Sequence, residues 1–260
     1  MNAKGQPKTF VMGDIHGAYN ALLQCLERSA FDYENDRLIQ LGDVVDGYPE
    51  SYECVKELLK IKNLIAIKGN HDDWFDNFIK TDYHPSLWSH GGKGTLISYL
   101  IHAGKKGKFF ATNSGFKTAL EAHDIPEKHR AFFDSQELYF IDEQNRFFVH
   151  GGFDRHLPLD KQRKEDFYWN RDLWSEALRL NIHNKNVLLH DFFDYVDFRE
   201  IYIGHTPTTN WETDKPMSAL NILNLDTGAG HSGRLTIMDV STKKFWQSDP
   251  LPELYTENYR

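Results

Sequence analysis

In the first third of this chain, short apolar, β-branched runs alternate with segments whose apolar residues recur at helical spacing. Residues 8–12, 37–41 and 63–68 read as strands. Residues 18–28 and 50–62 read as the helices between them, the second with Val55, Leu58, Leu59 and Ile61 as its buried stripe. Strand–loop–helix units with short connections predict parallel strands and right-handed crossovers. The rhythm changes after Asp73. Residues 74–134 read as a mostly helical, aromatic insertion, broken by Gly91-Gly92 and Pro126. Strands resume at 138–141, 146–149, 200–203, 222–225 and 235–240. Residues 160–166 read as a solvated loop and 167–180 as helix or loop. The tail after Ser241 reads as an edge strand followed by fraying residues. No repeat, low-complexity linker or domain boundary interrupts the chain, so 1–260 is expected to form one domain.

Composition narrows the class. The chain has 260 residues, 40% hydrophobic and 14% aromatic, enough for a sizeable core. Thirty Lys and Arg against 38 Asp and Glu give a net charge of −8. That balance argues against a long nucleic acid or an anionic membrane surface as partner. Cys25 and Cys54 lie among apolar neighbours in helical segments and read as buried free thiols. Residues 1–8 lack the apolar core of a signal peptide, and no apolar run has the length of a membrane span. A cytoplasmic location is the expectation.

The chemistry sits at the strand ends. Gly13-Asp14-Ile15-His16-Gly17, Gly42-Asp43-Val44-Val45-Asp46, Gly69-Asn70-His71-Asp72, His150-Gly151-Gly152 and Gly204-His205-Thr206 each follow an apolar run. Loops at the C-terminal ends of strands are where open α/β sheets build their sites. Any one of these clusters alone is a weak signal, because polar turns are common. Repeated placement of Asp, His and Asn at strand ends points instead to two divalent ions held by mixed O and N ligands. The donors are Asp14, His16, Asp43, Asn70, His150 and His205, with Asp43 placed to bridge. Without thiolates, the set suits Mn²⁺, Fe or Zn²⁺ better than Ca²⁺; two divalent ions are expected, Mn²⁺ first, with Fe or Zn²⁺ as alternatives. Two ions about 3.5–4 Å apart turn a bridging water into hydroxide and clamp a phosphoryl group, which suits hydrolysis of phosphate esters. The leaving oxygen then needs a proton. His71 is the natural general acid, and Asp46 the natural partner to orient its ring. Asp72 reads as a cap of the following helix.

These motifs resemble the metal-dependent phosphoprotein phosphatase family, within the calcineurin-like metallophosphoesterases. The family pattern is Gly-Asp-x-His-Gly, Gly-Asp-x-Val-Asp-Arg-Gly-Pro-x-Ser, Gly-Asn-His-Asp/Glu, His-Ala/Gly-Gly and Gly-His-Thr. The resemblance runs from Gly13 to about Val240. It implies an α/β fold, an αββα sandwich of two mixed β-sheets with helices on the outer faces and a helical insertion at about 74–134. It implies Asp14, His16 and Asp43 on one ion and Asp43, Asn70, His150 and His205 on the other, with His71 as acid and Asp46 as its partner. The stretch 88–99, with Trp88, Gly91, Gly92, Thr95, Ser98 and Tyr99, is similar to one common in bacterial and phage members. Asp226-Thr227-Gly228 and Gly233-Arg234-Leu235-Thr236 resemble a C-terminal strand pair, and bacterial diadenosine tetraphosphatases have a similar ending.

The second motif departs from the pattern. Pro49 and Ser51 keep the register, so Gly47 stands where an arginine is expected and Tyr48 where a glycine is. The family arginine would grip a phosphate bidentately. Tyr48 can donate a hydrogen bond in its place but brings no charge. Arg171, in Trp169-Asn170-Arg171-Asp172, is the candidate for a second family arginine, and Asn70 is the other expected contact to the phosphate. His84, His90, His102, His123, His129, His156, His183 and His190 read as surface or packing residues, and so does His231, with the cleft as its other reading. Trp74, Trp88 and Trp169 read as core, with stacking on a nucleobase at the rim as the alternative. The leading expectation is a Ser/Thr protein phosphatase acting on a phosphorylated protein. The alternative is a dinucleoside polyphosphate (diadenosine tetraphosphate) or other nucleotide hydrolase. A catalytically inactive binding protein is the third reading, opposed by the full ligand set.

Overall fold

A computed structural model describes residues 6–84, 88, 90–106, 109–112, 115–183 and 192–260. His190 lies outside them. Two five-stranded mixed sheets face each other. The first contains β1 (Thr9–Met12), β2 (Arg37–Gln40), β3 (Asn63–Ala66), β11 (Thr236–Asp239) and β12 (Phe245–Gln247), in the order β12-β11-β1-β2-β3. The second contains β6 (Tyr139–Ile141), β7 (Arg146–Val149), β8 (Glu200–Ile203), β9 (Met217–Ala219) and β10 (Ile222–Asn224), in the order β6-β7-β8-β10-β9. The strands β1, β2 and β3 are parallel, with Val11 opposite Ile39 and Ile39 opposite Ile65. The strands β7, β8 and β10 are also parallel.

Why the strands read as continuous apolar runs is clear from their two faces. Phe10 and Met12 point outward toward the helices, while Val11 points at the other sheet. In the second sheet Phe147, Val149, Ile201 and Ile203 face outward, while Phe148 and Tyr202 face inward. Period-two alternation with both faces covered makes the central positions of each strand apolar. The inter-sheet core holds Val11, Ile39, Leu41, Ile67, Phe148, Tyr202, Leu225, Met238 and Val240. Helices α1 (Tyr19–Arg28) and α2 (Ser51–Leu58) bury Ala21, Leu22, Cys25, Leu26, Cys54, Val55 and Leu58 on the outer face of the first sheet. Helices α6 (Lys164–Trp169) and α7 (Asp172–His183) cover the second. Both cysteines are buried free thiols. Among the described residues no helix is long and apolar enough to cross a membrane.

Several local readings change. Helix α2 ends at Leu58, so Leu59 falls past its end and is 41% exposed. The segment 74–134 carries most of α3 (Asn70–Thr81), then α4 (Gly92–His102) and α5 (Glu127–Asp134), but also a hairpin of β4 (Phe110–Thr112) and β5 (Gly115–Lys117). The charged run 160–166 is not all loop: a 3₁₀ turn spans Leu159–Lys161 and α6 starts at Lys164. The tail forms β12 and then α8 (Leu251–Leu254). It does not fray there, and its last residues pack back against the molecule.

Candidate metal centre

Six loops leave the same ends of the two sheets and converge. Asp14 and His16 follow β1, Asp43 and Asp46 follow β2, and Asn70 and His71 open α3 after β3. His150 follows β7, His205 follows β8 and Asp226 follows β10. Of these residues none is more than 4% exposed. His16, Asp43, Asp46 and His205 have left-handed backbones, with φ of 53°, 53°, 68° and 65°. Each costs about 1–2 kcal/mol in a residue with a Cβ. The neighbours hold the strain in place: Ile15 N and His16 N both donate to Asp43 O at 3.0 and 2.9 Å, and Tyr48 N donates to His16 O at 2.8 Å. Four of the ten left-handed non-glycine residues among the described ones lie in this one cluster, and backbone strain gathered in a buried site is a mark of function. Two glycines allow the close approach: a Cβ on Gly69 would collide with Asp43 Oδ1, and one on Gly204 with Asp14 Oδ1.

The donor atoms are pre-aimed. His16 Nδ1 donates to Asp46 O at 2.8 Å and His150 Nδ1 to Leu41 O at 2.8 Å, which turns both Nε2 atoms inward. Asp43 Oδ1 accepts from His71 N at 2.9 Å. Its Oδ2 lies 3.7 Å from His16 Nε2 and 3.3 Å from His150 Nε2. Asp14 Oδ2 is 3.8 Å from His16 Nε2, and Asn70 Oδ1 is 3.2 Å from His150 Nε2. Asp43 therefore belongs to two potential ligand groups, one with His16 and His71 and one with His150 and His205.

The electrostatics fit cations. Burial, reinforced by Asp226, pushes the Asp14 carboxyl well above its usual range. Burial also pushes Asp226 up to about 6. Burial would raise Asp43 too, but His150 and His71 beside it hold it well below the usual range. Burial disfavours charge on His150, yet Asp43 and Asp14 outweigh it and raise this imidazole to about 9. Burial keeps His16 and His205 neutral, the form that ligates. A dry pocket crowded with carboxylates and inward lone pairs, with no thiolate, is a donor set for divalent ions of the Mn²⁺, Fe or Zn²⁺ kind.

Beside it stands a supported dyad. His71 Nδ1 donates to Asp46 Oδ2 at 2.9 Å. Asp46 Oδ1 accepts from Thr95 Oγ1 at 2.6 Å and from Trp88 Nε1 at 2.9 Å, and Asp46 N donates to Thr95 Oγ1 at 2.9 Å. The stretch 88–99 thus packs against the second motif and fixes Asp46. Asp72 does cap α3: its carboxylate accepts from Gly69 N at 3.2 Å and also from Val44 N at 2.9 Å.

Arg171 reaches the cluster, its Nε 3.0 Å from His205 Nε2. Tyr48 is not brought into it. Its buried hydroxyl donates to His231 O at 2.7 Å, and burial pushes that hydroxyl up to about 12. Trp74 and Trp169 border the centre, with rings 5.5 Å apart. Trp74 lies 4.8 Å from His71, and Trp169, 40% exposed, lies 5.7 Å from His205. Two further residues join the site that the sequence alone does not assign to it. In the sequence Asp226 stands only as part of the stretch that resembles a C-terminal strand pair, although it follows an apolar run as the ligand candidates do. Arg260 gives no local signal at all, yet its Nη1 lies 2.8 Å from His16 Nε2 and its Nη2 3.1 Å from His71 Nε2.

Known proteins resemble this chain in sequence and in fold. The chain is 26% identical to "Serine/threonine-protein phosphatase 1" of Salmonella typhimurium, over 91% of this chain and 94% of that protein. It is 33% identical to "Bis(5'-nucleosyl)-tetraphosphatase, symmetrical" of Buchnera aphidicola, over 92% and 96%. In fold it is similar to the "Crystal structure of a putative diadenosine tetraphosphatase", with a TM-score of 0.61, 17% identity and coverage of 96% and 95%. It is also similar to a metallophosphoesterase from Sphaerobacter thermophilus, with a TM-score of 0.52, 16% identity and coverage of 95% and 89%. The calcineurin-like phosphoesterase family matches residues 7–215, and with the αββα sandwich and the buried donor cluster in place, the chain belongs to that family of metallophosphoesterases, hydrolases of phosphoric esters.

Proposed function

We propose that this chain is a two-metal phosphomonoesterase acting on phosphoserine and phosphothreonine in proteins. One observation carries the reading: the His71–Asp46 pair, fixed by Trp88 and Thr95, stands at the edge of the ligand cluster. A seryl or threonyl oxygen is a poor leaving group and needs a proton as its bond to phosphorus breaks. A phosphoanhydride leaves as a stable phosphate anion and needs little such help. A well-supported acid is therefore of most use with an alkoxide leaving group.

Asp14, His16 and Asp43 would hold one ion, and Asp43, Asn70, His150 and His205 the other. When bound, the ions would supply a nucleophile from water at neutral pH and neutralise phosphoryl charge; Mn²⁺ is the preferred metal. The chain's own groups do the rest. Asp46 accepts from His71 Nδ1 and fixes the ring, and the imidazolium form of His71 would deliver its Nε2 proton to the leaving oxygen. Arg171 offers a guanidinium to a phosphoryl oxygen from the His205 side.

A second reading, hydrolysis of a dinucleoside polyphosphate, is favoured by the Trp74–Trp169 pair, whose half-exposed face can stack a nucleobase. Protein stripped of metal and reloaded with Mn²⁺ decides between the two. Faster phosphate release from a phosphoserine/phosphothreonine peptide than turnover of diadenosine tetraphosphate is the expected result; the reverse order would move the chain to the nucleotide hydrolases. The acid role has its own signature. His71→Asn should slow the peptide reaction by roughly 10²–10⁴-fold and p-nitrophenyl phosphate, with its good leaving group, far less. Equal losses on both substrates would remove His71 from that role.

A further inference from the structure

We propose that Arg260 supplies the phosphate-gripping guanidinium that the second motif lacks at Gly47, and that Gly47 and Tyr48 together form the dock for the segment that carries it. The inference rests on the phosphoesterase reading of the site.

The two departures in the motif have one structural counterpart. Gly47 has φ of +130°, and a Cβ there would stand 3.0 Å from His16 O, so the backbone at this position is not suited to a side chain. Its peptide groups are used instead as anchors. Gly47 O accepts from Tyr259 N at 3.1 Å, and Gly47 N donates to Gly91 O at 3.0 Å. Tyr48, where the family has glycine, packs its ring on Tyr255 with centroids 4.5 Å apart. Tyr255 is itself tied down, its hydroxyl donating to Glu50 and accepting from Asn20 N. Further along, Asn258 Nδ2 donates to Gly230 O at 3.0 Å, and Asn258 Oδ1 accepts from Arg260 N at 3.0 Å. Lys93 lies 4.9 Å over the ring of Tyr259.

This chain of contacts ends with a guanidinium between His16 Nε2, at 2.8 Å, and His71 Nε2, at 3.1 Å. That is the space between a metal ligand candidate and the candidate acid, where a phosphoryl oxygen and its leaving group must both lie. The lone pair of His16 Nε2 serves either Arg260 or an ion. An ion held by His16 Nε2 would leave the guanidinium free for an anion in the same space, where it would form charge-assisted bonds to phosphate. With Arg171 on the His205 side, two guanidiniums then face the substrate from opposite walls.

The test is calorimetric titration of inorganic phosphate into Mn²⁺-loaded protein, with Mn²⁺ affinity measured separately. Arg260→Ala should weaken phosphate binding by roughly 10–100-fold without lowering Mn²⁺ affinity. Arg260→Lys should restore part of the loss, since a single charge replaces a fork. Tyr255→Ala, which releases the dock and leaves the guanidinium intact, should reproduce the weakening. Unchanged phosphate affinity in Arg260→Ala overturns the proposal, as does the absence of phosphate binding by the wild-type protein. So does a gain in Mn²⁺ affinity without loss of phosphate, which would make Arg260 only a cation occupying an ion's place. Because phosphate binding is read without turnover, a wild-type protein that binds phosphate but cleaves no ester would refute the phosphatase reading and still decide the role of Arg260.

Discussion

The two sheets contribute to the candidate centre unequally. Loops of the first sheet provide Asp14, His16 and Asp43, a complete group for one proposed ion position, together with the His71–Asp46 pair. The second proposed position needs both sheets: Asp43 and Asn70 come from the first, His150 and His205 from the second. The donors of the first proposed position thus come from a single parallel β-α-β-α-β run, with Asp14 also accepting from His205 N at 3.2 Å, whereas the second proposed position would need the sheets to pack face to face. The difference separates what local chain geometry secures from what the inter-sheet core secures.

The substitution that breaks both positions should have the largest effect. Asp43→Asn removes the shared charge, and turnover should fall on the order of 10⁴-fold with both ions lost. Metal analysis showing two ions retained would end the bridging assignment. Next comes the core between the sheets. Phe148 and Tyr202 stack there with centroids 4.8 Å apart and planes 9° apart. Phe148→Ala should cost about 3–5 kcal/mol in denaturant unfolding, and should loosen the His150–His205 ion before the other. Equal loss of both ions would mean that the first sheet does not hold its ion independently. The effect of His205→Ala should be narrower: affinity for one ion falls roughly 100-fold or more while the other stays bound. Titration with Mn²⁺ followed by paramagnetic resonance would count them.

The smallest effect belongs to the outer layer of the first half. His129 is buried, with Nδ1 at 2.9 Å from the Tyr99 hydroxyl and its ring beside Tyr52. Burial, aided by His102, lowers it from 6.5 to about 4. The unfolded chain takes up this proton first, so stability from the neutral ring is full above pH 6.5 and is lost as pH falls toward 4. The loss should be on the order of 2 kcal/mol, discounted for partial solvent access. His129→Gln should flatten this part of the pH–stability curve; an unchanged slope would show that other groups set it.

Much of the first half is legible because its signals are local. An apolar run, a glycine and a ligand-type residue lie within a few positions of each other, as at Val11–Met12–Gly13–Asp14, and a strand end needs no distant information. Leu59 reads as buried only because helical spacing continues past the point where the chain turns. The strand β9 leaves no signal because Met217-Ser218-Ala219 is too short and too mixed to show a period; its strand state comes from pairing with β10. The hairpin β4–β5 is hidden by the helical pattern around it. Trp88 and Thr95 stand in a recognisable stretch, but their contact with Asp46 spans more than forty residues of sequence, as the Thr95–Asp46 separation of 49 shows.

By itself the sequence determined the clusters of ligand-type residues at strand ends and the parallel run of β1, β2 and β3. These depend on residue type and on periods of two and 3.6, which are written in consecutive positions. Only the tertiary structure decided that Tyr48 spends its hydroxyl on His231 O, that Asp226 joins the buried carboxylates, and that Arg260 arrives between His16 and His71. Each of these results from segments far apart in the chain meeting in space. Hydrogen-bond direction, burial and charge act on that meeting and leave no periodic trace in the sequence.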